Sequence, residues 1–281
     1  MVGGSNPLAP ILQKPASFDG GGLFCDQIPE VSQVPRILIS NDDGIFSRGI
    51  AVLVEALSDF GEVWVVAPDR EQSAKSHSLT LHRPLRIREL GQRQFAIDGT
   101  PTDSVFLAIN FLLSKDVDLV ASGINHGSNL GEDVIYSGTV AAAREGALLG
   151  VPSMAVSMVG GEPFLFDSAV PVVRQLATQL LGRRAERPLL NVNVPNRPRS
   201  ELRGVQLTCL GRRSYGNVVE EKFDPRGRKY YWIGGGDPTF EDVPGSDCNA
   251  VVDGYISVTP LCLDLTDTRV LAQLDLGPLT V

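Results

Sequence analysis

From Arg36 to about Val194 the chain alternates short apolar runs with stretches whose apolar residues recur at helical spacing, and few folds accept that alternation. In a βαβ series each helix carries the chain back to start a parallel neighbour, so both faces of the sheet are covered. Ile37 to Ser40 reads as a first strand, rich in Ile and Leu as a buried central strand should be. Ile50, Leu53, Val54 and Leu57 then share a helical face, and Val63 to Ala67 forms a second strand. Leu85 to Arg88 and Phe95 to Asp98 predict a hairpin. Thr102 or Asp103 is the expected cap of a helix through Val105, Leu107, Ile109 and Leu112, and Asp118 to Ser122 is the next strand. Gly123 to Gly138 reads as a long, Gly-rich loop before a helix through Val140 and Leu148. Ser153 to Ser157, a helix around Val172 to Leu181, and Leu189 to Val194 continue the series. The expected class is α/β: a Rossmann-like, doubly wound sheet in three layers.

The pattern changes at about Val205, where strands shorten and Gly-containing turns gather before a last strand at Tyr255 to Pro260. We therefore expect a single domain over 35–281, with about 205–281 as a β-rich C-terminal extension. Residues 1–34 combine Gly, Pro and Ser with little periodicity and are expected to form a disordered leader.

With 281 residues, 43% of them hydrophobic, the chain can bury a sizeable core. Its formal net charge of -8 argues against a nucleic-acid polymer or an anionic membrane surface as partner. No apolar run approaches the roughly 20 residues that span a bilayer. Cys25, Cys209, Cys248 and Cys262 are widely spaced without a Cys-x-x-Cys pair, which suggests neither a zinc site nor a disulfide framework. A cytoplasmic protein in a reducing compartment is expected.

Ligands in open α/β sheets gather outside the carboxyl ends of the strands. There the first strand runs into Asn41-Asp42-Asp43-Gly44. Adjacent carboxylates repel and raise each other's pKa unless a cation, a donor or water neutralises them, and oxygen-rich sites suit hard ions. A plain turn or helix cap explains the same letters. Three further polar clusters follow strand ends. Asp69 to Ser78 offers Ser73 as a hydroxyl ligand, with Arg70 and Lys75 to balance phosphate charge, or is a solvated loop. Ser122 to Gly131 offers Asn125, Asn129 and glycines that let backbone amides approach an anion; its His126 is either a general acid/base or merely exposed. Ser137, Gly138 and Thr139 stand at an expected helix N-terminus, which attracts phosphate, although ordinary capping produces the same pattern. Neither a P-loop nor a dinucleotide Gly-x-Gly-x-x-Gly opens the first helix.

Taken together, these segments resemble the SurE family of survival-protein nucleotidases. The resemblance rests on Ile39-Ser40-Asn41-Asp42-Asp43-Gly44, Val66-Ala67-Pro68-Asp69-Arg70 with Ser73, Gly99-Thr100-Pro101-Thr102-Asp103, Ser122-Gly123-Ile124-Asn125 and Tyr136-Ser137-Gly138-Thr139-Val140. It extends through Asn191-Val192-Asn193-Val194-Pro195 to Gly254-Tyr255-Ile256-Ser257-Val258-Thr259-Pro260. The resemblance implies a metal-dependent phosphomonoesterase (a 5'-nucleotidase) acting on nucleoside 5'-monophosphates, with 3'-nucleotides and short polyphosphate as additional substrates. It implies one divalent ion per subunit, Mg2+ or Mn2+, on Asp42, Asp43, Ser73 and Asn125, with Asn41, Asn129, Ser137, Gly138 and Thr139 around the substrate phosphate. The catalytic role falls to Asp42 and Asp43, either as metal ligands alone or with one of them as base or nucleophile. Homo-oligomers, dimers or tetramers, with C-terminal segments exchanged between subunits are also implied. His126, Ser128, Ala74 and Phe46-Ser47-Arg48 depart from the family pattern around these loops. A non-catalytic nucleotide-binding or sensing module is the rival reading. A haloacid-dehalogenase-type phosphatase would need Asp-x-Asp in place of adjacent aspartates.

Overall fold

A computed structural model of the chain describes residues 34–214, 219–233 and 239–275. The expected leader lies, apart from Val34, outside the described residues. In chain order the elements are β1 (Arg36–Ser40), α1 (Arg48–Leu57), β2 (Glu62–Pro68), β3 (Ile87–Gly91), β4 (Gln94–Ile97), α2 (Pro101–Leu107), β5 (Leu119–His126) and α3 (Gly138–Leu148). Then come β6 (Ser153–Val159), α4 (Val170–Leu180), β7 (Leu189–Pro195), β8 (Val205–Leu207), β9 (Arg213–Ser214), β10 (Val219–Phe223) and β11 (Lys229–Ile233). β12 (Thr239–Phe240), α5 (Asp247–Val252), β13 (Ile256–Pro260) and α6 (Thr268–Gln273) complete the series.

A nine-stranded sheet in the order β3-β4-β2-β1-β5-β6-β7-β13-β8 carries the fold. The run β4-β2-β1-β5-β6-β7 is parallel, as the helical crossovers require. β3 returns antiparallel to β4 as the expected hairpin. Alternation along β1 separates the two helical layers. Ile37 and Ile39 pack with Ile50 and Leu53 of α1 and with Val173 and Ala177 of α4. Leu38 faces the other way, into a cluster with Val66, Val105 and Ile109 on the α2 side. The expected three-layer α/β architecture is therefore present, with β1 at its centre.

Two local expectations are corrected. The cap of α2 is Thr100, not Thr102 or Asp103. Thr100 Oγ1 accepts the Asp103 amide at 3.0 Å while Asp103 Oδ2 accepts the Thr100 amide at 2.9 Å, and Pro101 fills the first helical position. Beyond Leu107 this helix continues as a π-helical turn, Ala108–Leu112.

The supposed loop from Gly123 is instead a continuation of β5 as far as His126, with an irregularity in its pairing to β6 between Ser122 and Asn125. Gly123, at φ +124°, allows this: a Cβ there would lie 2.3 Å from the Val156 carbonyl oxygen. The shorter connection that remains, 127–137, contains a 3-10 turn at Gly131–Ile135.

The C-terminal region divides in two. β13 pairs antiparallel with β7 and parallel with β8, so both belong to the central sheet. β10 and β11 form a separate antiparallel hairpin, exposed along its whole length. Among the described residues no helix is long and apolar enough to cross a membrane.

The N-terminus of α1 sits directly on the end of β5. A Cβ at Gly49 would lie 1.9 Å from the Ile124 carbonyl oxygen, a backbone atom that cannot swing aside. Gly49→Ala is expected to destabilise the protein by about 3 kcal/mol through overpacking, read as a fall in the urea midpoint. A midpoint unchanged within error would mean that α1 does not approach β5 this closely.

Candidate metal centre

β1 is flanked by β2 on one side and β5 on the other, so the winding direction of the sheet reverses across it. Such a switch point leaves a crevice at the carboxyl end of the strands. Asp42 and Asp43 follow that end directly. The loop holding them is built by Asn41, which is fully buried and donates Nδ2 to the Gly44 carbonyl at 3.0 Å and to Ser47 Oγ at 2.8 Å. Ser47 in turn caps α1. The connection after β2 is fastened to the same place, because the Gln72 amide donates to the Asp42 carbonyl at 2.7 Å.

Asp42 is 6% exposed and lies against the N-terminus of α3. Thr139 Oγ1 donates to its Oδ1. A Cβ on Gly138 would stand 2.7 Å from the Asp42 Cβ, so only glycine lets the helix come this near. The positive end of the helix dipole favours a carboxylate there. Burial nevertheless dominates: it pushes the Asp42 carboxyl from the usual 3.8 up to about 6, with the neighbouring Asp43 charge adding to the rise and the Thr139 hydroxyl opposing it. Asp43 is also raised to about 6, by burial first and by the charge of Glu71, against the His126 amide. Its Oδ1 lies 3.3 Å from His126 Nδ1, while its Oδ2 is buried without a hydrogen-bond partner.

The other expected residues sit at the same edge with varied attachments. Ser73 is exposed and donates to Glu71 at 2.7 Å, one residue beyond the Gln72 anchor. Asn125 donates Nδ2 to the Gly127 carbonyl at 2.9 Å, which leaves its amide oxygen as the end available to a cation. Ser137 caps α3 by accepting the Val140 amide at 3.0 Å. The side chains of Ser137 and Thr139 are thus engaged inside the protein.

Asn129 is buried in an amide network. Its amide donates to Asn193 Oδ1 at 2.9 Å, its Nδ2 to Ser157 Oγ at 2.7 Å, and its carbonyl accepts from Asn191 and Asn193. Reasoning from sequence alone missed this network, the Glu71 charge and the contact of His126 with Asp43. The only local signal was the polar alternation Asn191, Asn193 within an otherwise apolar strand.

Among the described residues no three His, Cys, Asp or Glu side chains gather into a metal-binding group. The donors here are two carboxylates with neutral oxygens around them. That set fits a hard divalent ion, whose charge matches the pair and whose preference is for oxygen. The unpartnered, buried Asp43 Oδ2 and Asn41 Oδ1 support the fit, since buried polar atoms ordinarily have partners.

Residues 37–217 match the family model described as Survival protein SurE. The 5'-nucleotidase SurE of Myxococcus xanthus is 60% identical over 235 residues, 83% of this chain and 89% of that protein. The protein of the same name from Geotalea uraniireducens is 51% identical, over 87% of this chain and 100% of its own length. The crystal structure of the SurE protein from Aquifex aeolicus superposes with a TM-score of 0.75 at 42% identity, covering 85% of this chain and 98% of that one.

Because both carboxyl pKa values are raised, the ionised pair costs stability in the metal-free fold. That cost is full above the folded value near 6 and disappears as pH falls toward the unfolded value. Asp42→Asn is therefore expected to be more stable than wild type at pH 7 without metal, by on the order of 2 kcal/mol. The advantage should shrink as pH falls through 6 and vanish near 4. Thermal unfolding across that range in EDTA checks it; a gap independent of pH would show that Asp42 is not desolvated as described.

Proposed function

The chain belongs to the SurE family, and on that premise we propose that it is a metal-dependent 5'-nucleotidase, hydrolysing nucleoside 5'-monophosphates to nucleoside and phosphate. The observation that carries this reading is the Asp42-Asp43 pair at the switch point, Asp42 buried against the α3 N-terminus and Asp43 with one carboxylate oxygen buried and unpartnered. Asp42, Asp43, Ser73 and Asn125 would hold one Mg2+ or Mn2+ per subunit. An ion held by these residues would supply charge to offset the phosphate and Lewis acidity toward water.

The chain's own residues do the rest. Thr139 and the α3 N-terminus fix the Asp42 carboxylate, so the pair needs no rearrangement to receive a cation. Backbone amides at Ser137 to Thr139 present partial positive charge to an anionic phosphate. Asn129, locked by Ser157, Asn191 and Asn193, forms a rigid wall on the β6-β7 side. The curated relatives of high identity are named 5'-nucleotidases, which favours turnover over a nucleotide-binding module.

Phosphate release from AMP and GMP, measured with Mg2+ or Mn2+ and with EDTA, tests the reading. Wild type should turn over only with metal, and Asp42→Asn or Asp43→Asn should lose most activity while staying folded. Ser73→Ala and Asn125→Ala should shift the metal titration upward more mildly, because water replaces a neutral oxygen more readily than a carboxylate. Metal-independent release, or full activity in either aspartate variant, would refute the assignment.

The β10-β11 hairpin is proposed as an oligomer contact. One face carries Tyr230 and Trp232 and the other Val219, Phe223, Tyr231 and Ile233, with Ile233 92% exposed. A two-stranded ribbon with apolar groups on both faces is marginal in water and is stabilised by packing on a second copy, as a dimer or tetramer. Replacing Trp232 and Ile233 with Glu should then convert the oligomer to monomers in sedimentation velocity without changing the far-UV spectrum. A wild-type protein that is already monomeric at micromolar concentration would end the proposal.

A further inference from the structure

His126 closes β5, and its pairing with Met158 of β6 fixes the backbone beneath it. Its backbone amide donates to the Asp43 carboxylate, and its ring Nδ1 stands 3.3 Å from Asp43 Oδ1, an ion-pair distance that a small turn of the ring would tighten into a hydrogen bond. The ring is not loose. It stacks on Phe164, with centroids 5.4 Å apart and planes 17° apart, and lies against Phe166 at 5.1 Å. The two phenyl rings also stack on each other at 5.4 Å. Their loop is fastened by Asn196, which donates Nδ2 to the Gly161 carbonyl at 2.7 Å and the Pro163 carbonyl at 3.0 Å, and accepts the Leu165 amide at 2.8 Å. A continuous set of contacts therefore runs from the β6-α4 connection to one oxygen of Asp43, while the other oxygen has no partner.

We propose that His126, held in orientation by Phe164 and Phe166, is a positioning residue for Asp43, occupying Oδ1 from its Nδ1–H so that Oδ2 is presented to the divalent cation. The inference rests on the metal reading above and adds to it a residue that stands outside the oxygen ligand set. A carboxylate free to rotate loses that freedom on binding a cation, whereas one already held does not. Outer partners of metal ligands contribute about 10-fold to 100-fold in affinity by this route. The aromatic packing matters because an imidazole that could turn away would hold nothing.

Calorimetric titration of Mn2+ into the metal-stripped full chain, without substrate, separates the donor from the stack. His126→Phe keeps an aromatic ring against Phe164 and Phe166 but has no N–H; His126→Asn keeps a donor near the Nδ1 position and loses the ring. The expected result is a Mn2+ affinity weakened about 10-fold in His126→Phe and held within about threefold of wild type in His126→Asn. Metal-free thermal unfolding of each variant accompanies the titration, and Asp43→Asn serves as the reference without the ligand. If His126→Phe binds Mn2+ as wild type does while Asp43→Asn does not, this inference is overturned and the metal centre stands. Equal losses in the Phe and Asn variants would likewise overturn it, since packing alone would then explain them. If wild type and Asp43→Asn bind Mn2+ equally, the metal centre itself is refuted and this role of His126 falls with it.

Discussion

Two negative charges on adjacent residues, taken out of water at the end of a central strand, are the constraint around which this edge of the molecule is arranged. Burial is the largest of the causes that raise both carboxyl groups to about 6. Internal donors relieve the strain only partly: Thr139 and the α3 N-terminus serve Asp42, and His126 faces one oxygen of Asp43. Glu71 adds further negative charge from the β2 side. A site with this imbalance favours a divalent cation, because the ion supplies the charge that the protein leaves out. Part of the fold's stability is thereby given up in the metal-free state to keep the pair pre-organised.

Holding that pair in place requires backbones to come unusually close. The α1 N-terminus meets the Ile124 carbonyl at Gly49, and the α3 N-terminus meets the Asp42 side chain at Gly138. Each contact would be closed to any residue with a Cβ. The parallel sheet makes such approaches coincide, since β1, β2 and β5 all deliver their carboxyl ends to one crevice. The rigidity comes from the layers beneath: Ile37, Leu38 and Ile39 are fully buried, alternately in the two helical interfaces.

The C-terminal region supports the site from behind as well as projecting from the molecule. Asp247, fully buried at the start of α5, accepts the Gly131 amide at 2.9 Å and the Gly211 amide at 2.7 Å, joining the connection after β5 to the segment before β9. Arg213 adds an ion pair to Asp133 and a bond to Ser128 in the same connection. β13 and β8 anchor the bases of this region in the central sheet, while the β10-β11 hairpin leaves both faces to solvent. A two-stranded ribbon left exposed on both faces is marginal in water by itself.

The sequence by itself determined the α/β class, the order of the main elements and the adjacency of Asp42 and Asp43, because periodicity and neighbouring charge are local properties. It also contained the family resemblance and, through it, Ser73 and Asn125. Boundaries set by long-range packing were not legible. Gly123 to His126 looked like loop because glycine is ordinarily a breaker, yet the close passage of β6 makes it a bulged strand. The α2 cap was misplaced by two residues or more because Thr100, Thr102 and Asp103 are all good capping letters, and only the reciprocal bonds select Thr100. Thr139 reaches Asp42 across 97 residues of chain, and His126 meets both Asp43 and the Phe164-Phe166 pair from separate loops. Such contacts have no local signature, since a side chain's spacing in the chain says nothing of what the folded sheet will set against it. The tertiary structure alone decided which oxygen of Asp43 has a neighbour and which is buried without a partner.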